Sequence, residues 1–360
     1  MEMNRAETVG SAVAAGAEPS VGATWRLQWE YGTAEVQALG AMLGPVTFKL
    51  DSQRTLQVMQ LAAWADDDRA ADLPGVLRRL RGEWPCLPFG RTDAPGDLPS
   101  GWELQAAEDD WPHGYGANHA WSCEYADEGL VALSLVYPSS SPIERVERRL
   151  KVVPDEPALE LSFSVHARRP VVLPVGLHPT FRLPRAVGRM WVELGAHDGV
   201  YTYPNRGAGS VSRLLPDQRA AGLEVLPGMD GDMDLSRLPL AQDCEELLQV
   251  RGLRAAGDAA ALRLHYLDED ASVGLWWDTA QLPDLMLWVS NRGRREYPWQ
   301  GQHLALGAEP VNSVFDLARV ARPPAGHPLA DRQGIQLTPA QPWTTHYRMA
   351  ARSACPTIDG

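Results

Sequence analysis

Apolar and polar residues alternate with period two in short stretches along most of the chain. Leu159-Glu160-Leu161-Ser162-Phe163-Ser164-Val165 puts its apolar side chains on one face and its polar ones on the other, the pattern of a half-buried strand. Similar runs lie at 131–137, 262–266, 285–289 and 345–349, each bounded by Gly, Pro, Asp or Asn. Many short strands set off by turn residues predict an all-β sandwich or barrel. Long helices have little room beside 29 Pro and 32 Gly. Two short ones are predicted, about Ala71 to Arg81 and about Gln242 to Val250, with loops near Tyr203 to Ser212 and Arg319 to Asp331. No linker interrupts the strand pattern, which predicts a flexible leader over 1–24, a single β domain over 25–352 and a tail over 353–360.

Composition narrows the class. With 360 residues and 44% hydrophobic content the chain can bury a sizeable core. Its 33 Lys plus Arg against 46 Asp plus Glu leave a net charge of −13, which argues against a surface that neutralises phosphate backbones, so no nucleic-acid partner is expected. The four cysteines, Cys86, Cys123, Cys244 and Cys355, form no CxxC pair, so neither a zinc site nor a disulfide framework is indicated. The first residues contain Glu2, Glu7 and Glu18 and lack the apolar region of a signal peptide. No run approaches the ~20 apolar residues of a membrane span. A soluble, cytoplasmic protein without a membrane partner is expected. Tryptophan is abundant, 13 against 5 Phe, which suits either a ligand surface that wants flat rings or a core.

Three positions stand out as candidate chemistry because of their backbone context. In Gly176-Leu177-His178-Pro179-Thr180-Phe181 the proline biases His178 to extended backbone and removes the next ladder donor, as at a strand end. In Gly307-Ala308-Glu309-Pro310 a carboxylate follows the apolar run 304–306, where desolvation would raise its pKa and make it a better base. In Trp111-Pro112-His113-Gly114-Tyr115 a histidine sits between a rigid residue and a permissive one. Each taken alone is more often structural, the histidine bonded to a carbonyl and the glutamate to an arginine.

Together these segments resemble the aldose 1-epimerase (galactose mutarotase-like) family, nearest its hexose-6-phosphate mutarotase-like branch. Four stretches are similar in order: Arg81-Gly82-Glu83-Trp84-Pro85-Cys86-Leu87-Pro88-Phe89-Gly90, His113-Gly114-Tyr115-Gly116 with Trp121 downstream, His178-Pro179-Thr180-Phe181, and Glu309-Pro310 preceded by Tyr297-Pro298-Trp299-Gln300-Gly301. The likeness runs from about Trp29 to Met349. Two departures concern the pocket wall: Ala117 stands where the family commonly has arginine, and Glu83-Trp84 replaces a Gly-apolar pair.

The resemblance implies a large antiparallel β-sandwich with few short helices and a concave face that holds a sugar. It implies interconversion of α and β anomers through the open-chain aldehyde, with no cofactor and no metal. By resemblance Glu309 is the general base at the anomeric hydroxyl, His178 the general acid at the ring oxygen, and His113 a second histidine beside the ring oxygen. Arg81 is implied to hold substrate hydroxyls, and Asp234 (or Asp232) to be the acidic sugar ligand. The spacing of Asp230, Asp232 and Asp234 also offers oxygen ligands to calcium, but the glycine and closing glutamate of an EF-hand loop are missing. Arg91 and Arg182, each following a matched motif, are candidates for binding an anionic group on the sugar. Trp84, Trp111, Trp121 and Trp299 are candidates for stacking on its C–H faces. The expected partner is thus a small carbohydrate, including a phosphorylated one. A catalytically silent sugar-binding protein and a polysaccharide-lyase or glycosidase accessory domain are the competing classes on the same sandwich.

Overall fold

The computed structural model describes residues 20–206, 211–257 and 259–353. Two large antiparallel sheets dominate it. One has nine strands, ordered in space Arg237–Leu238, Met190–Leu194, Leu262–Tyr266, Ala271–Trp277, Trp343–Ser353, Ala158–Ala167, Ile143–Val152, Leu130–Val136 and Ser122–Ala126. The other runs Arg219–Ala220, Gly199–Thr202, Cys244–Arg251, Asp284–Asn291, Leu304–Asn312, Val175–Leu177, Pro85–Cys86, and Thr180–Arg182 also pairs with Leu304–Asn312. A four-stranded sheet over Thr24–Gln57 adds a third layer.

The period-two runs fall where the strands are. Leu161, Phe163 and Val165 of the nine-stranded sheet share one buried cluster with Leu285, Leu287 and Val289 of the eight-stranded sheet. The alternate residues of the latter, Met286 and Trp288, enter a second cluster with Trp84, Cys86, Phe89, Trp299 and Val311. Asp284–Asn291 is therefore buried on both faces, which a half-buried strand is not. Its second face carries the candidate site.

Both helix expectations are corrected. Residues 244–250 of the second stretch belong to the strand Cys244–Arg251, paired with Gly199–Thr202 on one side and Asp284–Asn291 on the other. Leu248 and Val250 fill the intersheet core there, and burial by two neighbours outweighs weak helical spacing. Residues 71–81 contain only two 3₁₀ turns, Asp68–Asp72 and Gly75–Arg79, separated at Leu73 and Pro74, because proline cannot continue the ladder. Part of the 203–212 loop, residues 207–210, lies outside the described residues, as do most of the leader and the tail. The 319–331 loop carries a short strand, Ala321–Arg322, paired with Glu103–Leu104. Among the described residues no helix is long and apolar enough to cross a membrane.

Candidate active site

Strand register brings the candidate acid and base together. Leu304–Asn312 pairs Val311 with Gly176 and Gly307 with Thr180; the same register continued sets Glu309 opposite His178. The ladder is interrupted there by Pro179, whose carbonyl still accepts from the Ala308 amide at 2.8 Å. On the far side of Glu309 stands Met286, and beyond His178 stands Trp84, whose carbonyl accepts from the His178 amide at 2.9 Å. One row across the sheet thus reads Met286, Glu309, His178, Trp84. His-Pro and Glu-Pro, 131 residues apart in the chain, are neighbours because two strands pair.

His178 Nε2 lies 3.3 Å from Glu309 Oε1, and both side chains are buried. The His178 Nδ1 faces Thr180 Oγ1 at 3.2 Å. Trp84 stacks on the imidazole with ring centroids 4.0 Å apart, and His113 meets its edge at 5.0 Å. Burial pushes the Glu309 carboxyl well above the usual range, with the negative charge of Asp316 adding to it. Burial, and then His113, holds His178 well below its ordinary value. Both shifts disfavour the charged form of each partner, which is what a dry environment does to an ionisable group. His113 is pushed down to about 4 by burial and by the Arg319 charge, so it acts as a neutral ring. Its Nδ1 is buried without a hydrogen-bond partner, a group that costs roughly 1–3 kcal/mol unless a ligand or water fills it.

The His113 wall is held by residues that motif reading passes over. The Asn118 carboxamide donates to the carbonyls of Pro112 and Gly114, both at 2.7 Å, and accepts from the Val76 amide at 3.2 Å. Arg319 donates to the carbonyls of Trp111 and Asp109 and pairs with the Asp109 carboxylate at 2.8 Å. His113 and Gly114 both have positive φ, 59° and 85°. A Cβ on Gly114 would stand 1.9 Å from the Leu87 carbonyl oxygen. Gly114→Ala is accordingly expected to cost at least about 1–3 kcal/mol of stability and to displace His113, checked by thermal unfolding of the purified variant.

These groups line a cavity of about 440 Å³ bounded by Trp84, Trp111, His113, His178, Glu309 and Asp316, with Leu247, Met286, Trp288, Arg294 and Trp299 on the other walls. Asp316 belongs to no motif; it is half-buried and accepts from the Tyr203 hydroxyl at 2.6 Å. Arg294 lies over the rings of both Trp288 and Trp299. No short-range signal marks either residue, because both reach the cavity from irregular segments.

Arg81, Arg182, Asp234, Trp121 and Arg91 do not line this cavity. Arg81 is buried but turned to Asp66, at 2.5 Å, and to the Ala65 carbonyl. Arg182 pairs with Glu269 at 2.6 Å and covers the Tyr266 ring. Asp234 accepts from the amide and hydroxyl of Ser236 and borders a separate surface cavity with Asp230, Asp232 and Arg213. Among the described residues no group of three His, Cys, Asp or Glu is placed to hold a metal. Trp121 is fully buried and donates to the Gly116 carbonyl at 2.9 Å. Arg91 borders a neighbouring cavity, paired with Asp93 at 2.7 Å. Ala117 is buried in the cluster that contains Trp84 and Trp299 and is not among the residues that line the cavity.

Fold and site together define an all-β sandwich protein with a buried histidine–glutamate pair in a sugar-sized cavity, and its fold is the galactose mutarotase-like one. Comparison of the sequence with protein-family models and with curated proteins gives no match. Among solved structures, a candidate aldose 1-epimerase from Escherichia coli K12 superposes with a TM-score of 0.63 at 16% identity, over 92% of this chain and 99% of that one. A GalM/aldose epimerase homologue from C. elegans gives 0.62 at 13% identity over 92% and 99%. A galactose mutarotase related enzyme from Lactobacillus acidophilus gives 0.56 at 15% identity over 94% and 100%.

Proposed function

We propose that this protein is an isomerase that interconverts the α and β anomers of an aldose by general acid/base ring opening. The observation that carries the reading is the His178–Glu309 contact on the wall of the cavity. Ring opening takes a proton from the anomeric hydroxyl and gives one to the ring oxygen, atoms bound to the same carbon. Two proton carriers in contact can serve both without moving. The neutral pair that burial favours first passes its proton from Glu309 to His178 across their 3.3 Å contact; Glu309 then accepts the anomeric proton and His178 protonates the ring oxygen, and rotation about the first carbon–carbon bond and closure with the roles reversed gives the other anomer. His113, held neutral, offers its free ring nitrogen to a substrate oxygen. A silent sugar-binding protein would not require a carboxyl and an imidazole buried in contact with each other, which favours the enzyme.

The test is α/β exchange followed by NMR on a panel of neutral and phosphorylated aldoses. Exchange above the uncatalysed rate with at least one sugar is expected, and none with any sugar overturns the reading. Activity should follow a bell in pH whose limbs belong to the pair. The acid limb, where the couple takes a second proton, should fall below the ordinary histidine value, because His178 is depressed. The alkaline limb should lie above the ordinary glutamate value, because Glu309 is raised. A kcat/KM profile with one limb only would contradict a shared proton.

A further inference from the structure

The nine-stranded sheet carries a cavity of its own, about 720 Å³, which shares no lining residue with the His178/Glu309 cavity. Strand alternation builds it. Ile143–Val152 turns Val146, Arg148 and Leu150 into the core, so Arg149 and Lys151 point outward. Ala158–Ala167 sends Glu160 and Ser162 to the same outer face, and Trp343–Ser353 sends His346 and Arg348 there. Register sets them in two rows across the sheet: Trp276, Arg348, Glu160, Lys151, and beside it His346, Ser162, Arg149.

Trp276 bounds one end. Its ring lies back over Gly274, where a Cβ would stand 2.6 Å from the indole Cη2, so the missing side chain lets the indole lie along the sheet. The guanidiniums of Arg263 and Arg348 are each 5.8 Å from the ring centroid. At the other end Arg149 and Lys151 are exposed, and among the described residues neither has an ion pair or a side-chain hydrogen bond. Their neighbours on this face are committed, Arg348 to Glu156 and Arg145 to Glu147. Two cations two residues apart on one strand face repel each other, and an anion between them relieves this. Glu160, opposite Lys151 and Arg348 in register, has no ion pair among the described residues either. A polyphosphate would meet that carboxylate in the middle of the row. Hydroxyl groups instead donate to Glu160 and bond to Ser162 and His346. Trp276 and Lys151 stand three strand spacings apart, about 14 Å, the length of about three linked pyranose rings.

We infer that this outer face is a separate binding site for an acidic oligosaccharide, a short chain of sugar rings bearing carboxylates. One ring packs on Trp276, hydroxyls along the chain bond to Glu160, Ser162 and His346, and a carboxylate sits between Arg149 and Lys151. No chemistry is performed there, and the site does not depend on the isomerase reading.

The experiment is calorimetric titration of the full chain with trigalacturonate, with cellotriose as a neutral trimer and with ATP as a polyphosphate. Trigalacturonate is expected to bind with a Kd below about 1 mM and at least about tenfold more tightly than either of the others. Arg149→Ser combined with Lys151→Ser alters two exposed side chains without partners, so thermal unfolding should stay as in the parent while trigalacturonate affinity falls at least about tenfold. Glu309→Gln should bind the trimer as the parent does. Absence of trigalacturonate binding, or an affinity unchanged in the double serine variant, overturns the proposal. Cellotriose binding as tightly as trigalacturonate removes the role of the basic pair, and ATP binding more tightly makes this a phosphate site; either result overturns it too. Affinity lost in Glu309→Gln but kept in the double variant would place the trimer in the His178 cavity instead.

Discussion

Glu309→Gln is expected to lower kcat for anomer exchange by about 10²–10⁴-fold and, in the same variant, to make the protein more stable at alkaline pH. The amide keeps the size and shape of the side chain but neither takes nor gives a proton, so the couple with His178 is broken chemically and not sterically. The stability effect has the opposite sign for a stated reason. Burial raises the Glu309 pKa above its unfolded value, so this group's contribution to stability is complete below the unfolded value and is lost as pH rises through the folded one. Glutamine does not titrate and escapes that loss. Melting curves of parent and variant between about pH 5 and 9 should separate as pH rises; curves that stay parallel would mean that Glu309 is not a desolvated acid. His178 contributes oppositely: its pKa is depressed by burial, so its share is complete above the unfolded value and is lost as pH falls. A site that is less stable with its catalytic group than without it reflects the usual conflict between buried polar chemistry and packing.

Arg148→Met is expected to be the most damaging substitution away from the cavity, costing about 3–5 kcal/mol. Arg148 is almost fully buried between the layers, where it donates to the Glu83 carboxylate, to the Ala41 carbonyl at 2.6 Å and to the Tyr347 hydroxyl at 3.1 Å. Removing the guanidinium leaves Glu83 as a buried carboxylate with no countercharge. Glu83 immediately precedes Trp84, whose ring packs on His178, so the loss should carry into exchange activity as well. Urea unfolding measures it, and a cost below about 1 kcal/mol would show that the pair contributes no more than a surface ion pair does. The double variant Arg148→Met with Glu83→Leu should recover much of the stability, because an apolar pair carries no desolvation cost.

The three motifs that stood out in the chain, around His113, His178 and Glu309, converge on one cavity. Their signal was local: a proline next to a polar residue at the end of an apolar run marks a break in a sheet ladder wherever that sheet lies. The arginines and the aspartate have side chains suited to a sugar site, and the structure takes them elsewhere. Arg81 turns to Asp66, Arg182 to Glu269 and Arg91 to Asp93. A long charged side chain is committed to whichever opposite charge folding places within reach, and that partner leaves no trace at the arginine's own position. Of the four tryptophans considered for stacking, Trp84, Trp111 and Trp299 line the cavity and Trp121 is core; Trp84 also stacks on His178.

By itself the sequence determined the strand alternation, the shortage of helix and the three backbone settings that suit chemistry, because each depends on residues within a few positions of one another. Only the tertiary structure decided that His178 and Glu309 face each other, that Arg319 braces the His113 segment and that Asp316 lines the same cavity. Those are properties of strand register and of side chains meeting through space across more than a hundred residues of chain. Desolvation, which sets the proton affinity of the pair, exists only once both sheets and the irregular segments between them have closed over it.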